Sequence, residues 1–356
     1  MLRLPKFEIL KPTSVEETVD LIRSLDGETR FIAGGTDLNP NMKHGLFTPD
    51  YVIALGDVAE LHGIQIAADG SMRIGAMTTL TNVNESTEIS SSYPALAEAA
   101  GLVSGPQLRN MGTIGGNVML DTRCQWYNQT YFWRKALGFC MKKDGSVCHV
   151  VEGGSKCVAA ASNDTAPVLI TLNAELEFAS APSSLMSFGS ADPDNPVRAS
   201  TTTNVTRKRI PIADLYKADG IWNKNVAPTD LLVAIHIPAP AANHRSAYSK
   251  LRDRGSIDFP LFGIAVRLDL DDNNTITDAA VCAVALQARP WPLKKAASLL
   301  VGKTVGSNEY QEAVELVAAL AAKQCRPMPN IPGDHEYRHA MVPVFTRRAF
   351  RAIAEL

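Results

Sequence analysis

Ile32-Ala33-Gly34-Gly35-Thr36-Asp37-Leu38 and Thr113-Ile114-Gly115-Gly116-Asn117 are the two stretches on which the fold of this chain turns. The first ends a short strand signal, Arg30-Phe31-Ile32-Ala33, and the second runs straight into a segment rich in cysteine. Consecutive glycines after a strand let the backbone turn tightly and aim several N–H groups at one point. Such a concavity binds anions, phosphates above all, because the donors are fixed and no Cβ stands in the way. The threonines add hydroxyl donors. A single Gly-Gly is most often just a tight turn, but two that converge would suit a diphosphate such as that of FAD. Neither stretch is G-x-G-x-x-G or a Walker A loop, so the Rossmann and P-loop readings fail on spacing.

Upstream, Ser14 and Glu17 stand three apart as a capping box and open a helix whose apolar face is Val15, Val19, Ile22 and Leu25. Strands are expected at 51–55 and 73–76, and a helix over 93–103. Downstream, Pro167-Val-Leu-Ile-Thr-Leu172 and Glu175-Leu-Glu-Phe178 read as strands. Residues 180–206 are rich in Ser, Thr, Pro and Asp without an apolar period, which predicts a surface insertion. A strand over 231–237 stops at Pro238, and 238–243 reads as a linker. Strands at 246–251, 261–268 and 276–286, followed by helices near 291–300, 309–323 and 341–354, make the last third a separate α+β domain.

The 356 residues carry 35 Lys+Arg against 37 Asp+Glu, a formal net charge of -2. A dedicated nucleic-acid binder would need a basic face, which this balance argues against. With 46% hydrophobic and 20% charged residues the chain is no disordered polymer. It has no run of about 18 apolar residues to span a bilayer. Charges and Pro5 occupy the N-terminal stretch where a signal peptide would be apolar. The expectation is a soluble, cytoplasmic protein of two or three domains.

Four of the six cysteines, Cys124, Cys140, Cys148 and Cys157, fall within 34 residues, whereas Cys282 and Cys325 stand apart. In a reducing compartment such a cluster points first to a metal or an iron–sulfur centre, with structural thiols or disulfides as alternatives. Zinc sites usually take ligands in close C-x(2–4)-C pairs, but here 15, 7 and 8 residues separate successive cysteines. A [4Fe–4S] cubane, one thiolate per iron, tolerates wider spacing. His149 is an alternative ligand or an ordinary loop histidine. Trp126, Tyr127, Tyr131, Phe132, Trp133 and Phe139 place six of 23 aromatics in this segment, either as its own small core or as a shield around a cluster.

These residues together resemble the FAD-binding subunits of the molybdenum hydroxylases, the family of xanthine dehydrogenase and the carbon monoxide dehydrogenase flavin modules. The likeness rests on Ile32 to Leu38, Thr113 to Asn117 and Asp164-Thr-Ala-Pro167. It continues through Lys250-Leu-Arg-Asp-Arg-Gly-Ser-Ile-Asp-Phe259 to Tyr337-Arg-His-Ala-Met341 and Arg347-Arg348. Most members lack residues 122–157. Asp121-Thr-Arg-Cys124, Tyr127-Asn-Gln129, Trp133-Arg134 and Cys148-His149-Val150 are similar instead to the β subunit of 4-hydroxybenzoyl-CoA reductase, whose extra segment holds a [4Fe–4S] cluster. The insertion at 180–206 departs from that subunit.

The resemblance implies an α+β fold: a two-part, PCMH-type FAD-binding domain over 1–238, then a smaller C-terminal domain over 244–356 like that of the carbon monoxide dehydrogenase flavoprotein. It implies FAD contacts from Ile32, Ala33, Gly34, Gly35, Thr36, Asp37 and Leu38, and from Thr113, Gly116 and Asn117. Asp164 would lie near the adenosine portion, Leu232 and Lys250 near the flavin. Cys124, Cys140, Cys148 and Cys157 would hold the cluster. The implied partners are a large molybdopterin subunit, a small [2Fe–2S] subunit and ferredoxin as electron donor, assembled as a dimer of heterotrimers. No catalytic acid or base is expected in this chain. The alternatives are the flavin subunit of an aldehyde- or purine-oxidising complex, a free-standing PCMH-type flavin oxidase, or a protein whose cysteine loop binds zinc to shape a docking surface.

Overall fold

The computed structural model describes residues 2–181, 205–331 and 333–355. The insertion expected over 180–206 therefore lies almost wholly outside the described residues. The N-terminal part runs β1 (Glu8–Leu10), α1 (Val15–Ser24), β2 (Thr29–Ile32), α2 (Leu38–Lys43) and β3 (Tyr51–Ala54). The three strands form a parallel sheet in the order β1-β3-β2. α1 starts at the predicted cap, with the Glu17 N–H donating to Ser14 Oγ at 3.0 Å. The return half of the box is displaced by one residue: Glu17 Oε2 accepts from the Thr13 N–H at 2.7 Å instead of from Ser14.

A second, five-stranded sheet contains β4 (Ile64–Ile66), β5 (Met72–Gly75), β6 (Glu175–Ser180), β7 (Thr206–Pro211) and β8 (Leu231–Ile237), in the order β4-β5-β8-β6-β7. Its neighbouring strands are all antiparallel. β8 is central and covered on both faces, which explains its unbroken Leu-Leu-Val-Ala-Ile run. Leu231 and Val233 pack with Val15, Val19 and Ile53 of the first layer, while Leu232, Ile235 and Ile237 pack with the helices opposite.

Between β5 and β6 lie α3 (Pro94–Gly101), α4 (Ile114–Val118), α5 (Tyr131–Ala136) within the cysteine segment, and α6 (Thr165–Thr171). Two expectations are corrected here. The stretch 167–172, expected as a strand, is mostly helix α6, because a short apolar run without alternation is compatible with either a buried strand or a buried helix. Buried surroundings on every side and the Asn117 carboxamide at its head select the helix: Asn117 Oδ1 accepts from Thr165 N–H at 3.1 Å and Thr165 Oγ1 at 2.7 Å. The second glycine stretch, read as a turn, is the first turn of α4. Thr113 caps it, its Oγ1 accepting from the Gly116 N–H at 3.0 Å.

The C-terminal part holds β9 (Asn243–Leu251), β10 (Phe262–Leu270), β11 (Ile276–Val284) and β12 (Trp291–Pro292), an antiparallel sheet in the order β12-β11-β10-β9. The helix expected near 291–300 is reduced to Ala296–Leu300, since 291–292 pair as an edge strand. α7 (Asn308–Gln324) and α8 (His335–Ala354) cover one face, packing on Ile264 and Val266. Ala265 and Tyr248 face the other way and join the core of the preceding sheet, so β9 and β10 serve as a seam between the two parts. Arg338, buried in α8, donates to the carbonyls of Leu261, Met328 and Ala285.

Candidate functional site

A cleft of about 750 Å³ opens between the first sheet and the second, within the ~300–1,000 Å³ usual for small-molecule and cofactor sites. Ala33, Gly34, Gly35, Thr36, Asp37 and Leu38 line one side; Thr113, Gly116, Asn117 and Leu232 line the rest with apolar neighbours such as Leu80 and Phe259. Ile32 does not line the cleft; its Cδ1 packs against the loop, 3.2 Å from where a Cβ on Gly35 would fall. A Cβ on Gly34 would fall 1.7 Å from the Met111 carbonyl oxygen, so the two glycine stretches meet backbone to backbone. Gly35 has φ +70°, and its Cβ would fall 2.7 Å from Asn39 Nδ2.

The two stretches do different work. The N–H groups of Gly34, Gly35, Thr36 and Asp37 donate to no described residue, and all four residues line the cleft, the kind of backbone run from which an anion nest is built. In the second stretch the Ile114 and Gly115 N–H groups donate to Thr78 and Ala76 carbonyls, each at 2.9 Å, and that of Gly116 is taken by Thr113. Its backbone builds the floor under the first loop.

Asp37 is paired with Arg123, whose guanidinium also lies 4.4 Å from the centre of the Phe259 ring. Burial pushes Arg123 down to about 10. Asp164 and Lys250 do not line the cleft. Lys250 Nζ donates to Asp164 Oδ2 at 3.0 Å and to the Leu102 carbonyl at 2.8 Å, and the Tyr248 hydroxyl donates to Asp164 Oδ1 at 2.8 Å. Burial drives the Asp164 carboxyl up and the Lys250 ammonium down, each shift opposed by the partner's charge. The pair ties the head of α6, and with it Asn117, to β9.

All four clustered cysteines line a second, small cavity; the six cysteines of the chain are free thiols. Burial, reinforced by the neighbouring thiols, pushes Cys124 up to about 12. Cys157 is also raised by burial, against the Ala159 N–H and the charge of Lys142. His149 is engaged elsewhere, with Nε2 2.6 Å from the Phe139 carbonyl. Among the described residues no three His, Cys, Asp or Glu side chains converge to grip a single ion. Four cysteines are a donor set that both zinc and iron–sulfur clusters take. The enclosed space is only about 10 Å³, so a four-iron cluster would need the thiols turned outward around it.

Of the six aromatics in this segment, Trp126 and Tyr127 reach the cysteine cavity, whereas Tyr131, Phe132 and Trp133 on α5 are exposed. Buried Arg134 secures the segment to the end of α2, donating to the Gly45 carbonyl at 2.9 Å and Asp144 at 3.1 Å. Tyr127 and Lys142 line both cavities. Lys142 was not singled out by the motif reading; its only signal was to be one of two lysines, with Lys143, between Cys140 and Cys148.

Residues 5–186 match the family described as the FAD binding domain in molybdopterin dehydrogenase, and residues 246–353 match the CO dehydrogenase flavoprotein C-terminal domain. The carbon monoxide dehydrogenase medium chain of Afipia carboxidovorans is 26% identical over 343 residues, 96% of this chain and 95% of that one. The aldehyde oxidoreductase FAD-binding subunit PaoB of Escherichia coli is 28% identical over 275 residues, 75% and 77% of the two chains. Among solved structures, a chain of the Hydrogenophaga pseudoflava carbon monoxide dehydrogenase lacking the Mo-pyranopterin moiety matches with a TM-score of 0.74 at 25% identity, covering 99% of this chain and 98% of the other. An FAD-binding domain followed by a flavoprotein C-terminal domain is therefore the architecture, and the chain belongs to the FAD-binding subunits of the molybdenum hydroxylase family.

Proposed function

We propose that this chain holds FAD in the glycine-loop cleft and a [4Fe–4S] cluster on Cys124, Cys140, Cys148 and Cys157, and that it is the electron-transfer subunit of a 4-hydroxybenzoyl-CoA reductase. The observation that carries this reading is the convergence of the four cysteines on a cavity sharing Tyr127 and Lys142 with the cleft. A single ion would need its ligands on one point, whereas a cubane spreads them over four irons. Four cysteines that line one cavity yet include no close C-x(2–4)-C pair in sequence favour the second.

The free N–H groups of Gly34 to Asp37 suit the FAD pyrophosphate, with Thr113, Gly116 and Asn117 on the facing side and Leu232 as apolar wall. Ile32 supports the loop by packing against it. Asp164 and Lys250 act through α6, holding Asn117 in place. When bound, flavin exchanges electrons singly or in pairs and so can join one-electron clusters. The partners this reading requires are a molybdopterin subunit with the substrate site, a small [2Fe–2S] subunit and reduced ferredoxin. The complex would remove the phenolic hydroxyl of 4-hydroxybenzoyl-CoA with two electrons and two protons, releasing water.

A second reading, the flavin subunit of an oxidising complex, draws on relatives named as carbon monoxide, aldehyde and xanthine enzymes. The Cys124→Ser variant separates the two. It should keep FAD, lose the cluster, and drop electron uptake from reduced ferredoxin to background. Uptake at the wild-type rate without the cluster would end the entry-port role and favour the second reading.

A further inference from the structure

Lys142 is a buried cation set in the partition between the two cavities. Its ammonium donates to Asp121 Oδ1 at 2.9 Å, Thr122 Oγ1 at 2.7 Å and the Gly220 carbonyl at 2.6 Å, and it lies 4.8 Å from the centre of the Tyr127 ring. The Ile221 carbonyl completes the cage at 3.3 Å. Asp121 Oδ2 in turn accepts from the Tyr127 hydroxyl at 3.3 Å. Gly220 is pressed against the cysteine cavity: its N–H donates to the Cys157 carbonyl at 2.9 Å, and a Cβ on it would fall 2.7 Å from Cys157 Sγ. One ammonium thus gathers the cleft side, through Asp121, Tyr127 and Ile221, and the cysteine side, through Gly220.

We propose that Lys142 is a positioning residue that holds this partition together and, as a fixed positive charge, makes reduction of the cluster at the cysteines easier. The inference rests on the cluster reading given above. Reduction adds one electron, taken from an external reductant, and makes the cluster one charge more negative. A cation held in a poorly solvated wall stabilises that extra charge. Removing Lys142 would also leave the Asp121 carboxylate, on the cleft side of the same partition, without its ammonium, which acts in the same direction.

The test compares wild type, Lys142→Met and Lys142→Arg as full chains purified anaerobically. Iron and FAD are counted, and the cluster is titrated with dithionite while its EPR signal is followed. Lys142→Met should keep its iron and FAD with a midpoint potential shifted to more negative values, and Lys142→Arg should stay near wild type. An unchanged midpoint in Lys142→Met overturns the proposal. If Lys142→Met loses its iron, retention of iron at the wild-type midpoint in Lys142→Arg supports the need for charge. Loss of iron in both variants reduces Lys142 to a structural role and overturns the proposal. A wild-type chain without a cluster overturns the cluster reading itself, and this inference with it.

Discussion

The Gly34→Ala variant should lose FAD and be destabilised by about 3 kcal/mol, the upper end of ordinary overpacking costs. The added Cβ would fall 1.7 Å from Met111 O, 2.3 Å from Met111 C and 2.9 Å from Gly112 N. These are backbone atoms, so no rotamer change makes room. Relief comes only by moving the loop after β2 away from 111–113, and that movement separates the free N–H groups from Thr113 and Asn117. Gly56→Ala is the control: a Cβ there would meet nothing within 4 Å, and Gly56 does not line the cleft. The flavin-to-protein absorbance ratio and urea unfolding check both. Wild-type FAD content in Gly34→Ala would show that the loop does not depend on this contact.

Breaking the Asp164–Lys250 pair from one side should cost about 3–5 kcal/mol, the range for removing one partner of a buried ion pair. Both side chains are almost completely excluded from solvent, at 3% and 1% exposure. Asp164→Ala strands the Lys250 ammonium and removes the acceptor of the Tyr248 hydroxyl at the seam between the two parts of the chain. Asp164→Ala with Lys250→Met should cost less than the sum of the single changes, since no charge is then left unpaired. Urea denaturation of the four proteins measures this coupling. A single-variant cost below about 1 kcal/mol, in the range of exposed pairs, would show that the pair is solvated.

Much of the fold was legible because its signals are local. The Ser14 cap, the apolar run 231–235 of β8 with its stop at Pro238, and the strand before Gly34-Gly35 all depend on neighbours in sequence. The stretch 167–172 was not, because its helix is selected by Asn117, some fifty residues earlier, and by burial on every side. The cleft showed the same limit. The two glycine stretches look alike in sequence, yet only the first leaves its N–H groups free. The second spends them on Thr78 and Ala76, partners no local pattern reveals. Asp164 and Lys250 carried a resemblance to cofactor contacts, but the structure pairs them with each other outside the cleft lining. Lys142 escaped notice because its importance arises from Asp121, Thr122 and Gly220, which only the folded chain brings around it.

The most direct test of the account is the iron, zinc and FAD content of the anaerobically purified chain, with an EPR spectrum after dithionite reduction. The account predicts about four irons and one FAD per chain, with a reduced-cluster signal. FAD accompanied by zinc, or by no metal, would contradict it, leaving a flavin subunit of the family without the second redox centre.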